Sequence, residues 1–173
     1  MHPRVVLTNL TLVICVVVPG VTDKVGSRPF GASSYAFRIF EDLDCIAIKW
    51  FGPYNKDACL AYLEEMNALP QYVTRPSIFH DVRSWDLDIE SREMERLAWL
   101  PRARTDGRGE LRVAMLVEND LAFGMLRIMA SLRSRENQLV LEIFRTYQDA
   151  VEWLELPQHQ GEIFDTIEPP DEG

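Results

Sequence analysis

His80 and Asp81 are the first candidates for chemistry, because an imidazole beside a carboxylate can act as a general base. Ser84 follows closely, and an acidic turn runs from Asp86 to Glu90. Adjacent residues of a strand point to opposite faces of a sheet, so His80 and Asp81 cannot both face one substrate in a regular strand. A small enzyme that uses these groups therefore requires a pocket in which they converge. It is the alternative hypothesis for this chain.

Metal-binding patterns are incomplete. Asp86, Asp88 and Glu90 alternate as in a metal loop, yet the glycine and the distal glutamate of a calcium loop are missing, which favours a solvated acidic loop. The three cysteines, which have no CxxC or zinc spacing, are Cys15, Cys45 and Cys59. An odd number of thiols suits a reducing compartment. We therefore predict a cytoplasmic protein without a metal site or cofactor.

The charge distribution argues against nucleic acid as a partner. The formal net charge is −9, and the segment 155–173 holds six acidic residues and no Lys or Arg. Nucleic-acid binding depends on clustered positive charge, which this balance disfavours. One basic loop stands out at 101–109, with Arg102, Arg104 and Arg108, followed by Arg112. These arginines predict a site that binds either an anionic ligand or the acidic surface of a partner. The competing interpretation is a surface loop that increases solubility.

The N-terminal region does not continue the regular pattern of the rest of the chain. The apolar stretch 5–18 has the proportions of a signal-peptide core and is too short for a stable membrane span. Export is the alternative to a cytoplasmic location. Residues 19–34 are rich in Gly, Pro and Ser, which predicts a linker. We expect an N-terminal extension and linker over 1–34, one domain over 35–156, and an acidic disordered tail over 157–173.

Within 35–156 the pattern is that of an α/β domain. Alternating or continuous apolar runs predict strands at 35–41, 45–51, 77–82, 111–117 and 139–145. Helical spacing predicts helices at 55–69, 90–100, 120–132 and 147–154, with Asn55, Asp120 and Thr146 at their N-caps. The expected architecture is an N-terminal β-hairpin followed by β-α-β-α-β-α-β-α, a mixed sheet of about five strands with about four helices. The apolar face of the helix at 120–132 is predicted to hold Leu121, Met125, Ile128, Met129 and Leu132.

Ligands of open α/β sheets favour the carboxyl ends of the strands. Two segments of this chain fall there. The candidate residues for a ligand or partner are Asp81, Arg83, Ser84 and Trp85 in the first segment, and Asn119, Asp120 and Phe123 in the second. The second segment opens a helix, whose free N–H groups can receive an anion, although Asp120 competes for them.

Several runs of residues carry a family resemblance. They are Val113-Ala114-Met115-Leu116-Val117, the stretch from Asp120 to Met129, Ile143-Phe144-Arg145, and Ala150-Val151-Glu152-Trp153-Leu154. Over 37–156 the chain resembles the SpoIIAA-like family of STAS/SEC14-type domains. The resemblance implies a non-enzymatic regulatory domain that binds a protein partner or a small apolar or anionic ligand. The oligomeric state is left open, with a homodimer as one option.

The resemblance also directs attention to one serine. STAS domains of anti-sigma-factor antagonists carry an Asp-Ser-Ser-Gly turn in which a serine is phosphorylated to switch partner binding. The matching stretch 81–92 lacks this sequence: Ser91 falls near the switch position, with Glu90 and Arg92 in place of the neighbouring serine and glycine. Ser91 is therefore a candidate phospho-switch, and the competing interpretation is an ordinary serine in the first turn of a helix.

Overall fold

The computed structural model describes residues 25–69, 77–87, 111–133, 139–157 and 167–170. The α/β class and the mixed sheet are confirmed. The elements in chain order are β1 (Val25–Phe30), β2 (Ser33–Phe40), β3 (Cys45–Pro53), α1 (Lys56–Ala68), β4 (Ser77–Asp81), β5 (Trp85–Asp86), β6 (Leu111–Leu116), α2 (Asp120–Arg133), β7 (Leu139–Phe144) and α3 (Tyr147–Trp153). The described residues form seven strands, where about five were expected. The predicted helix at 90–100 lies outside the described residues.

One sheet contains all the strands, in the order β1-β2-β3-β4-β6-β7, with β5 pairing beside β3. The pairs β1–β2 and β2–β3 are antiparallel, and the pairs β3–β4, β4–β6 and β6–β7 are parallel. The register aligns Ile48 with His80 and His80 with Met115. The carboxyl ends of four neighbouring strands therefore meet at one edge of the sheet.

The first face of the sheet packs against α1 and α2. Strand positions 35, 37 and 39 of β2 and 46, 48 and 50 of β3 point to this face, as the two-residue period of a strand requires. Helix α1 begins where Asn55 Oδ1 accepts hydrogen bonds from the backbone N–H groups of Asp57 (2.9 Å) and Ala58 (3.1 Å), which confirms the predicted N-cap. The helix buries Ala58, Cys59, Ala61, Tyr62 and Met66.

The second face is covered by α3. Thr146 Oγ1 accepts a hydrogen bond from the Asp149 backbone N–H at 3.2 Å, so its predicted capping role is confirmed. The helix places Ala150, Val151 and Leu154 over a second cluster that includes Phe40, Cys45, Ala47, Phe79 and Leu116. Because the parallel strands are covered on both faces, β6 is an almost continuous apolar run, as predicted.

Described structure also lies beyond both predicted ends of the domain. The sheet begins at Val25, since β1 lies inside the segment predicted to be a linker and pairs with β2 along its whole length. In the predicted disordered tail, Ile167 is buried in the second cluster. Both segments owe their positions to long-range contacts, which local composition does not report. Among the described residues, no helix has the length and apolar content needed to cross a membrane.

Candidate functional site

The carboxyl edge of the sheet brings the two predicted binding segments together. The segment at 81–85 runs from the last residue of β4 to the first residue of β5, and the segment at 117–123 follows β6, which pairs with β4. The Val82 N–H donates to the Leu116 carbonyl at 3.0 Å, and the Val117 N–H donates to the Phe144 carbonyl at 3.0 Å. These bonds extend the parallel pairing just beyond the strands, so both segments leave the sheet from neighbouring positions.

Asp81 and Arg83 form a closed pair at this edge. Arg83 donates from Nε to Asp81 Oδ1 (3.0 Å) and from Nη2 to Oδ2 (2.7 Å), and its backbone N–H also donates to Oδ1 (3.1 Å). The Asp81 side chain is only 4% exposed, whereas Arg83 reaches solvent. The carboxylate therefore fixes the turn after β4, and its oxygens are occupied by donors of the same turn.

Ser84 and Trp85 join this turn to β3. The Ser84 carbonyl accepts from the Gly52 N–H at 3.0 Å, and Trp85 begins the short parallel strand β5 beside Gly52. The Trp85 ring stacks on Trp50 with centroids 4.7 Å apart. Its Nε1 is buried and has no hydrogen-bond acceptor in the part of the chain that the structure describes. Among the predicted binding residues, Trp85 is thus a buried packing residue.

The cap of α2 is Asn119, and the prediction of Asp120 was wrong. Asn119 Oδ1 accepts from the backbone N–H groups of Leu121 (2.8 Å) and Ala122 (3.2 Å), which are the donors that an N-cap satisfies. Asp120 is the first helical residue, and its side chain is 92% exposed. Because Asn119 already uses these N–H groups, they are not open to an anionic ligand.

Arg145, which is not among the predicted site residues, binds the start of α2. Its Nη2 lies 2.6 Å from Asp120 Oδ1, and its Nη1 donates to the Glu118 carbonyl at 3.0 Å. The guanidinium also lies over the Phe123 ring, 4.1 Å from the centroid. Arg145 directly follows β7, so the pairing of β7 with β6 places it at the carboxyl edge of the sheet. The signal available in the sequence was a lone arginine directly after an apolar strand.

His80 belongs to an aromatic cluster on the first face, which we define as Tyr35, Trp50, Tyr62, Trp85 and His80. Trp50 Nε1 donates to His80 Nδ1 at 3.1 Å, and Tyr62 Oη lies 3.4 Å from His80 Nε2. An indole N–H only donates, so His80 Nδ1 is the acceptor of this bond. His80 is 8% exposed. It faces α1, whereas the neighbouring Asp81 binds Arg83, so the structure does not bring the two side chains together.

Tyr35 is the member of the cluster with a shifted pKa. Its Oη donates to Glu65 Oε2 at 2.5 Å. Burial raises the pKa of Tyr35 well above its ordinary value of 10.0, and the Glu65 carboxylate raises it further. The folded state therefore resists ionisation of this phenol, while the unfolded state permits it.

This shift predicts a loss of stability at alkaline pH. A group whose folded pKa is raised stabilises the fold fully below its unfolded pKa, and that stability declines as the pH rises above about 10, by up to roughly 1.4 kcal/mol per pH unit. We expect tyrosinate absorbance from Tyr35 at 295 nm to appear together with unfolding, measured by circular dichroism. Tyr35→Phe should unfold over this range with a shallower dependence on pH. An identical dependence in both proteins would contradict the assignment.

Of the four arginines predicted to form an anion site at the basic loop, only Arg112 lies within the described residues. Its guanidinium pairs with Glu155 at 2.9 Å and lies over the Trp153 ring, 4.5 Å from the centroid. Arg112 therefore ties β6 to the end of α3. Arg102, Arg104, Arg108, Ser91 and the acidic residues Asp88 and Glu90 lie outside the described residues.

Metal ligands and thiols give no further site within the described ranges. No group of three or more His, Cys, Asp or Glu side chains there could hold a metal ion. Cys45 and Cys59 are buried, as expected for small apolar residues of a strand and a helix.

The outer face of α2 is a surface feature that was not predicted from the sequence. Leu121 and Ile128, assigned above to the inner face, are 64% and 59% exposed. The helix instead buries Ala122, Leu126, Met129 and Ala130. Because α2 is apolar on nearly every side, its periodicity could not distinguish the inner face from the outer face. We call Leu121, Gly124, Arg127 and Ile128, with Asp120 at the start of the helix, the α2 surface.

Comparisons with protein-family models, curated proteins and solved structures return no match for this chain.

Proposed function

We propose that the chain is a non-enzymatic binding domain that docks a protein partner on the α2 surface. The observation that carries the proposal is the exposure of Leu121 and Ile128, two large apolar side chains on one side of one helix. They are the only large hydrophobic residues that stand exposed in the described part of the chain. Clustered apolar exposure with a polar rim is typical of a protein-binding surface.

The polar surroundings of Leu121 suit such a surface. Asp120 and Arg145 lie at its edge as a pair joined at 2.6 Å, and Arg127 continues the polar rim along the helix. Arg145 is held by three contacts at the start of α2, so the edge is built from ordered charges. Preformed charged groups around an apolar centre favour recognition of one orientation of a partner.

The alternative, a small enzyme, has less support. His80 is committed to Trp50 and buried, and Asp81 is committed to Arg83. General acid and base catalysis requires a side chain within reach of a substrate. The interpretation as a SpoIIAA-like STAS domain, with Ser91 as its switch and a cytoplasmic location, is part of the same proposal. It is supported by the sequence runs given above and is compatible with the mixed α/β sheet.

Site-directed photo-cross-linking tests the docking surface. Ile128 is replaced by p-benzoylphenylalanine in the full chain, and the producing cells are irradiated. Gln148, which is exposed on α3 on the opposite face, receives the same residue as the matched control. We expect discrete covalent adducts from position 128, identified by mass spectrometry, and none of the same mass from position 148.

Two results would overturn the proposal. One is the absence of adducts at position 128 while the protein remains folded by circular dichroism. The other is the same set of adducts from both positions, since random collisions do not distinguish the two faces.

A further inference from the structure

The apolar residues of the α2 surface are arranged symmetrically along the helix. Leu121 and Ile128 stand on either side of a midpoint between Gly124 and Met125, and each lies about 5 Å from it along the axis. The seven-residue spacing returns both side chains to nearly the same side of the helix. A surface with this symmetry is complementary to itself when a second copy is turned by a twofold axis through the midpoint.

Gly124 lies at the centre of this arrangement. A Cβ built on Gly124 meets no other atom within 4 Å, so the helix surface is open at this point. In an antiparallel pair of helices, the midpoint is where the two backbones come closest, and a glycine there allows a short interaxial distance. Leu121 of each copy then packs on Ile128 of the other, and the two exposed apolar residues of each copy cover those of its partner.

The charges of the α2 surface agree with the same pairing. Asp120 and Arg127 lie on one flank of the apolar residues, as the 100° rotation per residue requires. The twofold axis places this flank beside the same flank of the second copy, and the two helices run in opposite directions. Arg127 of one copy then lies about 3 Å along the axis from Asp120 of the other. The Asp120 side chain is 92% exposed, which leaves it accessible to a second cation beside Arg145.

We propose that the partner of the α2 surface is a second copy of this chain, bound as a twofold dimer through antiparallel α2 helices. This inference rests on the proposed function and names its partner. One helix pair provides a smaller area than the roughly 800 Å² per partner of standard complexes, so the dimer is weak and dissociates at low protein concentration.

Sedimentation equilibrium of the full chain tests the dimer. Between about 5 and 300 µM, we expect the average mass of the wild type to rise from the monomer toward the dimer, a range that covers a weak complex. Ile128→Glu is expected to stay a monomer throughout, because a buried unpaired carboxylate opposes the contact. Gln148→Glu adds the same charge on α3 and should dimerise like the wild type.

Disulfide trapping tests the register independently. Gly124→Cys places two thiols beside the twofold axis, so mild oxidation should convert most of the protein to a covalent dimer at 100 µM. Ser131→Cys, exposed on the same helix, places the thiols about 20 Å apart along the axis and should remain monomeric.

Three results would overturn the dimer. They are a monomer at every concentration, a dimer that Ile128→Glu leaves unchanged, and equal cross-linking by both cysteine variants. A monomer that nevertheless gives photo-adducts with another protein at position 128 overturns the dimer alone and leaves the proposed function intact. If position 128 gives no adduct of either kind, the proposed function fails with it.

Discussion

Gly52→Ala is expected to lower the free energy of unfolding by at least about 3 kcal/mol. Gly52 has a φ of +72°, and a Cβ there would lie 2.0 Å from the Ala32 carbonyl oxygen and 3.0 Å from its carbonyl carbon. Both obstacles are backbone atoms of the turn between β1 and β2. The end of β3 cannot move away from this turn freely, because the Gly52 N–H also donates to the Ser84 carbonyl.

Gly31→Ala is the matched control. Gly31 has a similar φ of +62°, but a Cβ there meets nothing within 4 Å. Its alanine variant should lose only the cost of the left-handed conformation, about 1 kcal/mol. Urea unfolding of the three proteins, followed by circular dichroism, measures both differences. Equal losses in the two variants would mean that the close approach of β3 to the β1–β2 turn does not exist.

The second large effect concerns the buried bond between Trp50 and His80. We expect His80→Leu to cost about 2 to 3 kcal/mol, because it leaves the buried Trp50 Nε1 without its acceptor. Trp50→Phe should cost a similar amount through the lost donor and the smaller ring. The double variant is expected to be more stable than the sum of the single losses by about 1 kcal/mol or more, because no unpaired group of this bond remains buried.

A double-mutant cycle in urea measures this coupling. The control cycle combines Trp50→Phe with Val151→Ala, which lies in the cluster on the opposite face of the sheet. Its two losses should add within about 0.5 kcal/mol, as expected for separate sites. Additive losses for Trp50 and His80 would contradict the hydrogen bond. In that case His80 would not be committed to Trp50 and could take part in chemistry.

Both predictions concern residues near the carboxyl edge of the sheet. Gly52 and Trp85 join β3 to the turn after β4, and Trp85 stacks on Trp50. Loss of the pairing between Gly52 and Trp85, or of the stacking of Trp85 on Trp50, should destabilise the turn. This is the turn that the Asp81–Arg83 ion pair closes. The edge is thus held mainly by buried groups, while the residues proposed for binding lie outside it on α2.

The elements that the sequence predicted correctly are those with local causes. Asn55 and Thr146 cap their helices through bonds to residues two or three positions away, and the strands at 77–82 and 111–117 are apolar runs. The opposite orientation of His80 and Asp81 follows from the two-residue period of a strand. Side chains a few residues apart determine such features, so one segment is enough to predict them.

The other features depend on contacts between distant parts of the chain. The position of Arg145 depends on the pairing of β7 with β6, and this pairing brings it within ion-pair distance of Asp120. The exposure of Leu121 and Ile128 depends on which side of an apolar helix the sheet covers. The α/β class, most strands and two caps could be predicted from the sequence. The exposed side of α2 could not be predicted, because burial depends on residues far apart along the chain.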